Sequence, residues 1–201
     1  MIRVLLADDE TLIRDALAGL LGLEGDLEVV ATAATGATAL AAAVDRRPDI
    51  AVLDLQMPDG DGIETAQRIA REVPGCRTVI VTSHGRPGYL KKALAAGVAG
   101  FLPKTVTAAA LAAAVRQVHA GGRYVDPELA AEAISAGESP LTPREADVLE
   151  LAADGASAEE IAARAHLSPG TVRNYLSAAV MKLGAANRHE AARIARRHGW
   201  I

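Results

Sequence analysis

Over the first 120 residues, short β-branched runs alternate with longer Ala-rich stretches of helical character, and that alternation leaves few folds open. Arg3–Ala7, Leu27–Ala31, Ile50–Leu53, Thr78–Val81 and Ala99–Leu102 read as strands, and the stretches 10–22, 36–46, 62–72, 88–96 and 107–120 read as helices. Strand, helix and strand with short connections predict parallel strands, right-handed crossovers and helices on both faces. The expected fold is therefore an α/β doubly wound sheet of five strands. Apolar residues make up 50% of the chain and aromatics only 2%, so the core must be built from Ala, Leu, Val and Ile. So few aromatic rings disfavour binding of single-stranded nucleic acid by base stacking.

After Gly121-Gly122 the pattern breaks into a punctuated stretch with Pro127, Gly137, Ser139 and Pro140, and then into helices alone. The chain divides on this reading into an α/β domain over 1–120, a linker over 121–140 and an all-helical domain over 141–201. Thr142 with Glu145, Ser157 with Glu160 and Asn187 with Glu190 each pair an N-cap oxygen with Glu at the third helical position. Ser168-Pro169 supplies a cap followed by a proline suited to the first turn. Gly155 and Gly184 sit at matching stops. Helices over about 158–165 and 169–183, separated by Ala165-His166-Leu167, have the spacing of a helix-turn-helix within a four-helix module.

The net charge of −4 hides a gradient. Residues 1–137 carry 13 basic and 17 acidic side chains, whereas 166–201 carry Arg173, Lys182, Arg188, Arg193, Arg196 and Arg197 against Glu190 alone. A basic tail on an acidic body points to a polyanion as partner. No apolar run approaches the 18 or so residues of a membrane helix, and the acidic Asp8-Asp9-Glu10 interrupts any leader, so the expectation is a cytoplasmic protein with no membrane partner. The single cysteine, Cys76, reads as a core filler. His84, His119, His166, His189 and His198 lack metal-ligand spacing and read as surface or packing residues. Trp200 reads as an anchor for the last helix.

In an open parallel sheet the functional crevice lies beyond the carboxyl ends of the strands. The first strand ends in Asp8-Asp9, the third in Asp54, the fourth in Thr82-Ser83 and the fifth in Lys104. Clustered carboxylates repel one another, and a hard divalent cation with oxygen ligands, Mg²⁺, relieves the repulsion. A carboxylate beside such an ion can attack a phosphoryl donor and become an acyl phosphate. A lysine and a hydroxyl would then hold the phosphoryl oxygens.

Asp8-Asp9, the run DLQMPDGDG from Asp54 to Gly62, Thr82-Ser83 and Lys104 resemble the receiver domain of bacterial two-component response regulators, a flavodoxin/CheY-like fold, over about residues 1–120. The resemblance implies Asp54 as phosphoacceptor. It implies Asp9, Asp54 and the Gln56 backbone carbonyl as direct Mg²⁺ ligands, with Asp8 acting largely through water. Thr82 would be the switch hydroxyl, Phe101 the switch aromatic and Lys104 the counter-ion of the phosphate. Phe101 stands where tyrosine is frequent, so its ring can fill space without donating a hydrogen bond.

Leu141 to Ala191 is similar to the LuxR-type helix-turn-helix, and receiver plus this module is the architecture of the NarL/FixJ response regulators. Periodicity supports the comparison: Val172, Leu176, Ala179 and Leu183 share one stripe, leaving Gly170, Arg173, Asn174, Ser177 and Met181 on the opposite face. Arg173 suits guanine and Asn174 adenine, Ser177 shares their face, and Thr171, Lys182 and Arg188 are placed for phosphates. The expected function is a DNA-binding transcriptional regulator that accepts phosphoryl on Asp54 from a cognate histidine kinase, dimerises when phosphorylated and binds double-stranded promoter DNA. On this reading it is not an enzyme beyond transfer to its own Asp54. Two rival classes stand beside it. A haloacid-dehalogenase-type phosphatase would need an acid/base Asp two residues after the nucleophile, where Gln56 sits. A phosphorylation-independent regulator would have a vestigial pocket.

Overall fold

The run Ile2–Ala7 forms the first strand, β1, and its last four residues are all buried, as a strand covered on both faces requires. Helix α1 (Thr11–Gly22) and strand β2 (Leu27–Ala33) follow, then α2 (Gly36–Arg46) and β3 (Ile50–Asp54), every residue of which is buried. Two short strands, β4 (Gln56–Met57) and β5 (Gly60–Asp61), form a small antiparallel hairpin before α3 (Gly62–Glu72). Then come β6 (Arg77–Thr82), α4 (Pro87–Ala95), β7 (Gly100–Pro103) and α5 (Ala108–His119). The computed structural model describes all residues except 84, 86, 136–138, 154 and 199, so His84 and Gly137, singled out above, lie outside the described residues.

The large sheet has the order β2-β1-β3-β6-β7, all parallel, with a sixth short strand, β8 (Tyr124–Val125), beside β7. Side chains alternate across it. Val4, Leu6, Val52, Val81 and Leu102 join Leu111, Val115 and Val118 of α5 in one core layer. Their strand neighbours Leu5, Ala51, Leu53 and Ile80 are fully buried on the other face. Each such Leu, Ile or Val contributes about 1.5–3 kcal/mol by leaving water. Cys76 is 4% exposed and burial pushes its thiol up to about 12, in keeping with a core filler.

The stretch expected to be a linker is partly ordered. Gly121-Gly122 leads into β8, where Tyr124 donates to the Ala99 carbonyl and Asp126 to that of Phe101. Helix α6 (Pro127–Ser135) then buries Leu129 and Ala133, one turn apart. Two compact units result, one of Met1–Gly85 with Leu90–Pro127 and one of Arg86–Tyr89 with Glu128–Ile201.

The second unit contains α7 (Pro143–Ala153), α8 (Ala158–Ala165), α9 (Pro169–Lys182) and α10 (Arg188–Arg197). Their starts follow the caps read above. The Thr142–Glu145 and Ser157–Glu160 boxes are reciprocal, and Ser168 accepts from the Thr171 N–H. Asn187 caps α10 through two N–H groups, but Glu190 reaches back to the N–H of Ala186 rather than of Asn187. His166 takes a left-handed conformation at φ 53° to end α8, and Gly155 and Gly184 also have positive φ. Trp200 packs against this unit's core and stacks on His198 at 4.6 Å between ring centroids.

Candidate functional site

Strand order reverses between β1 and β3, the place where an open α/β sheet forms its crevice. Asp8 and Asp9 follow β1, and Asp54 ends β3 in register with Val81 of β6. Each of these three carboxylates offers an oxygen, and the three oxygens lie within 4.8 Å of one another. Asp8 and Asp54 are buried, at 2% and 6% exposure, and Asp9 is half-buried. Gln56, half-buried at the start of β4, stands two residues beyond Asp54.

Lys104 leaves the end of β7 and reaches this cluster. Its Nζ lies 2.9 Å from Asp8 Oδ2, 3.0 Å from Asp54 Oδ2 and 3.1 Å from Glu10 Oε1. Its backbone N–H donates to the Thr82 carbonyl at 2.7 Å, tying the lysine to the strand that ends in the buried Thr82. Phe101 is fully buried on β7, the strand that Lys104 follows. Burial pushes the Asp54 carboxyl up to about 6; the Lys104 ammonium pulls against this, and the charge of Asp8 adds to it. Burial opposes the charge of Lys104, but its hydrogen bond to Asp8 and the charge of Asp54 outweigh that and hold the ammonium above its ordinary range.

The loop from Asp54 to Gly62 is held from several sides. Asp59 accepts the Gly36 and Ala37 N–H groups at 2.8 Å each, so the start of α2 is fastened to the loop. Asp61 caps α3 through Ile63 N–H and meets Lys92 Nζ of α4 at 2.6 Å. Gly62 has no substitute here, because a Cβ would lie 2.0 Å from the Asp54 carbonyl oxygen. Sequence reading placed Asp8, Asp9, Asp54, Thr82 and Lys104 on one edge and missed Glu10, Asp59, Asp61 and Lys92. For Glu10 the sequence shows only that a third acid follows the pair, and nothing local ties it to Lys104.

In the second unit, α9 presents the two faces expected. Val172, Leu176 and Ala179 are buried, while Arg173, Asn174, Ser177 and Met181 are exposed. Arg173 lies 3.6 Å from Glu159, with both side chains largely in water. Thr171 shares a hydroxyl hydrogen bond with Ser168 at 2.8 Å. Two residues assigned to phosphates are also used within the fold. Lys182 Nζ sits 2.7 Å from the buried Glu145 Oε2, and Arg188 donates to the Ala156 carbonyl at 3.1 Å. Burial opposes the charge of Glu145, but Lys182 and the N–H and hydroxyl of Thr142 hold its carboxyl below the usual range.

With the crevice and the exposed helix face in place, comparison with known proteins gives the family. Residues 4–116 match the response regulator receiver domain, and residues 139–195 match the bacterial regulatory proteins of the luxR family. The chain belongs to the two-component response regulators that join a receiver domain to a LuxR-type DNA-binding domain. It is 41% identical over 201 residues, the whole of both chains, to the transcriptional regulatory protein DesR of Bacillus subtilis. It is 37% identical to the DNA-binding transcriptional activator DevR/DosR of Mycobacterium tuberculosis, covering 96% of this chain and 93% of that one. The crystal structure of the response regulator ChrA of a heme-sensing two-component system aligns over 100% of this chain and 98% of its own, at 32% identity and a TM-score of 0.58. Among the described residues, no helix is long and apolar enough to cross a membrane.

Proposed function

We propose that Asp54 accepts a phosphoryl group from a phosphohistidine of a cognate kinase, and that the modified receiver dimerises and changes how the tail engages promoter DNA. The observation that carries this reading is the geometry at the β1/β3 crevice. A buried carboxylate at a strand end touches the lysine that follows another strand, and its oxygens lie close to those of Asp8 and Asp9. The donor set is all oxygen, which suits a hard divalent cation and matches Mg²⁺. Asp9, Asp54 and the Gln56 backbone carbonyl would hold it, with Asp8 acting through water. Such an ion supplies neutralisation of phosphoryl oxygens when bound.

An Asp54 carboxylate oxygen forms the new O–P bond as the P–N bond of the donor breaks. The bonding pair stays with the imidazole nitrogen, which takes a proton from solvent. Lys104 then pairs with a phosphoryl oxygen and Thr82 donates its hydroxyl to another. The phosphoryl group carries close to two negative charges at neutral pH, enough to draw both groups inward. Phe101, on β7 three residues before Lys104, responds as the switch aromatic. The expected chemistry is transfer to the protein itself, with no turnover of a separate substrate.

In the tail, Arg173 and Asn174 would read base edges in a major groove, with Ser177 beside them and Thr171, Lys182 and Arg188 on phosphates. An ammonium has three donors, so Lys182 can keep Glu145 and still reach a phosphate. The name of the DevR/DosR relative, a DNA-binding transcriptional activator, supports this assignment. A dimer of such modules would recognise an inverted repeat with half-sites roughly 10 bp, or a multiple of that, apart.

Incubation with acetyl phosphate tests the first step. Intact-mass measurement should show one added phosphoryl group in Mg²⁺, none in chelator and none in Asp54→Asn. Label retained in that variant, or label stable to hydroxylamine, would place the chemistry elsewhere. Thr82→Ala and Lys104→Ala should keep the label but lose the mass increase seen on dimerisation in sedimentation.

A further inference from the structure

Lys104 has three N–H donors, and three carboxylates stand within 3.1 Å of its nitrogen. A phosphoryl oxygen that is to reach Lys104 must therefore take the place of one of them. The three are unequal. The Asp8 and Asp54 side chains are 3% and 7% exposed, whereas that of Glu10 is 56% exposed. Asp8 is further fixed by the Glu10 backbone N–H, which donates to its Oδ1 at 2.9 Å. Withdrawing a buried carboxylate strands it without its partners, but withdrawing Glu10 returns a charged group to water.

The backbone of Glu10 adds a second, independent observation. Glu10 is the N-cap of α1, the position where a side chain usually accepts an N–H of the first turn. Its carboxylate makes no such hydrogen bond and turns to Lys104 instead. The cap is thus occupied by a residue type poorly suited to capping, with its charge directed at the crevice.

We propose that Glu10 is a positioning residue for phosphoryl capture, one that competes with the incoming phosphoryl group for the Lys104 ammonium and yields to it by moving into solvent. This rests on the assignment of Asp54 as phosphoacceptor. Glu10 makes the unphosphorylated pocket more attractive to a cation and less attractive to an anion. Its removal should therefore move the two affinities in opposite directions, which a merely structural role would not do.

The test is calorimetric titration of the full chain and of Glu10→Gln, first with Mg²⁺ alone and then with beryllofluoride in saturating Mg²⁺ as the phosphoryl mimic. The variant is expected to bind beryllofluoride up to about fivefold more tightly, the range that a partly exposed ion pair supports, and to bind Mg²⁺ more weakly. The difference should shrink at higher ionic strength, because Glu10 faces solvent. Equal or weaker binding of beryllofluoride by Glu10→Gln overturns the inference. Failure of the unaltered chain to bind beryllofluoride in Mg²⁺ overturns the phosphoacceptor reading itself, so the two failures are distinct.

Discussion

In the first unit Asp54 Oδ2 lies 3.0 Å from Lys104 Nζ, and in the second Glu145 Oε2 lies 2.7 Å from Lys182 Nζ; both carboxylate side chains are 7% exposed. The ingredients match, yet burial prevails at Asp54, pushing its carboxyl up to about 6, whereas its partners hold that of Glu145 below the usual range. The difference lies first in burial, which outweighs the partners at Asp54 but not at Glu145, and then in the company. Asp54 shares one lysine with Asp8 and Glu10, and Asp9 stands close by, so negative charge is in excess. Glu145 has Lys182 largely to itself and also accepts the Thr142 N–H at 2.7 Å. The second arrangement is a satisfied clamp between α7 and α9. The first is electrostatically incomplete, and a pocket of that kind gains from a cation and a transferable group.

The largest effect that would sharpen this contrast is in the clamp. Lys182→Ala leaves the Glu145 carboxylate buried without its cation and should destabilise the tail by about 3 kcal/mol, the low end of what one-sided removal from a buried pair costs. Urea unfolding followed by Trp200 fluorescence reports on that unit, since Trp200 packs against its core. A change too small to measure would mean that Lys182 does not act as a clamp and is free for phosphate alone.

Asp54→Asn should do the opposite and stabilise the protein in chelator at neutral pH by roughly 3 kcal/mol, because burial pushes that carboxyl from its ordinary value of 3.8 up to about 6. The sign follows from proton binding. Between about 3.8 and 6 the folded Asp54 holds more proton than the unfolded chain, so its contribution to stability falls as pH rises through that window. Variant and unaltered chain should therefore converge in acid. Saturating Mg²⁺ should narrow the gap at neutral pH. For Glu145 the sign reverses: its contribution is present above the ordinary carboxylate value near 4.5 and is lost as pH falls further. Thermal melts across pH 4 to 8, in chelator and in Mg²⁺, separate the two.

Smaller effects are expected on the exposed face of α9. Arg173→Ala should weaken a preferred operator by about 1–2 kcal/mol and relax preference at one base position while leaving non-specific binding nearly intact. Equal losses on both kinds of DNA, titrated at several salt concentrations, would move base reading elsewhere on α9. The smallest effect is on Glu159→Ala, which removes the solvent-exposed partner of Arg173 and should alter stability by less than about 0.5 kcal/mol. A larger loss would make that surface pair a second clamp and blur the contrast.

The five long strands, the tail helices and their caps were legible in the sequence because each depends on local pattern: β-branched runs, apolar spacing, an N-cap oxygen with Glu at the third position. β8 was not, since two residues become a strand only by pairing with β7. α6 is hidden by its own start signal: Pro127 reads as loop punctuation, although proline suits the first turn of a helix. At the site, the strand-end rule found Asp8, Asp9, Asp54 and Lys104. It could not find the contact of Glu10 with Lys104 across 94 positions or that of Lys182 with Glu145 across 37, because no local pattern encodes either distance.

The short strand β8 bears on where the chain can be divided. It covers part of the open edge of β7 by accepting the register Gly100 to Tyr124 and Phe101 to Val125, and Pro103 at the far end of β7 has no N–H to offer. A receiver truncated at residue 120 would bare unpaired carbonyls at Ala99 and Phe101, the sort of edge on which other chains assemble. One that retains Pro127 keeps that edge covered. The stretch that resembles a connector in composition is thus also a solubility device, and fragments cut before Tyr124 should self-associate where longer ones remain dispersed.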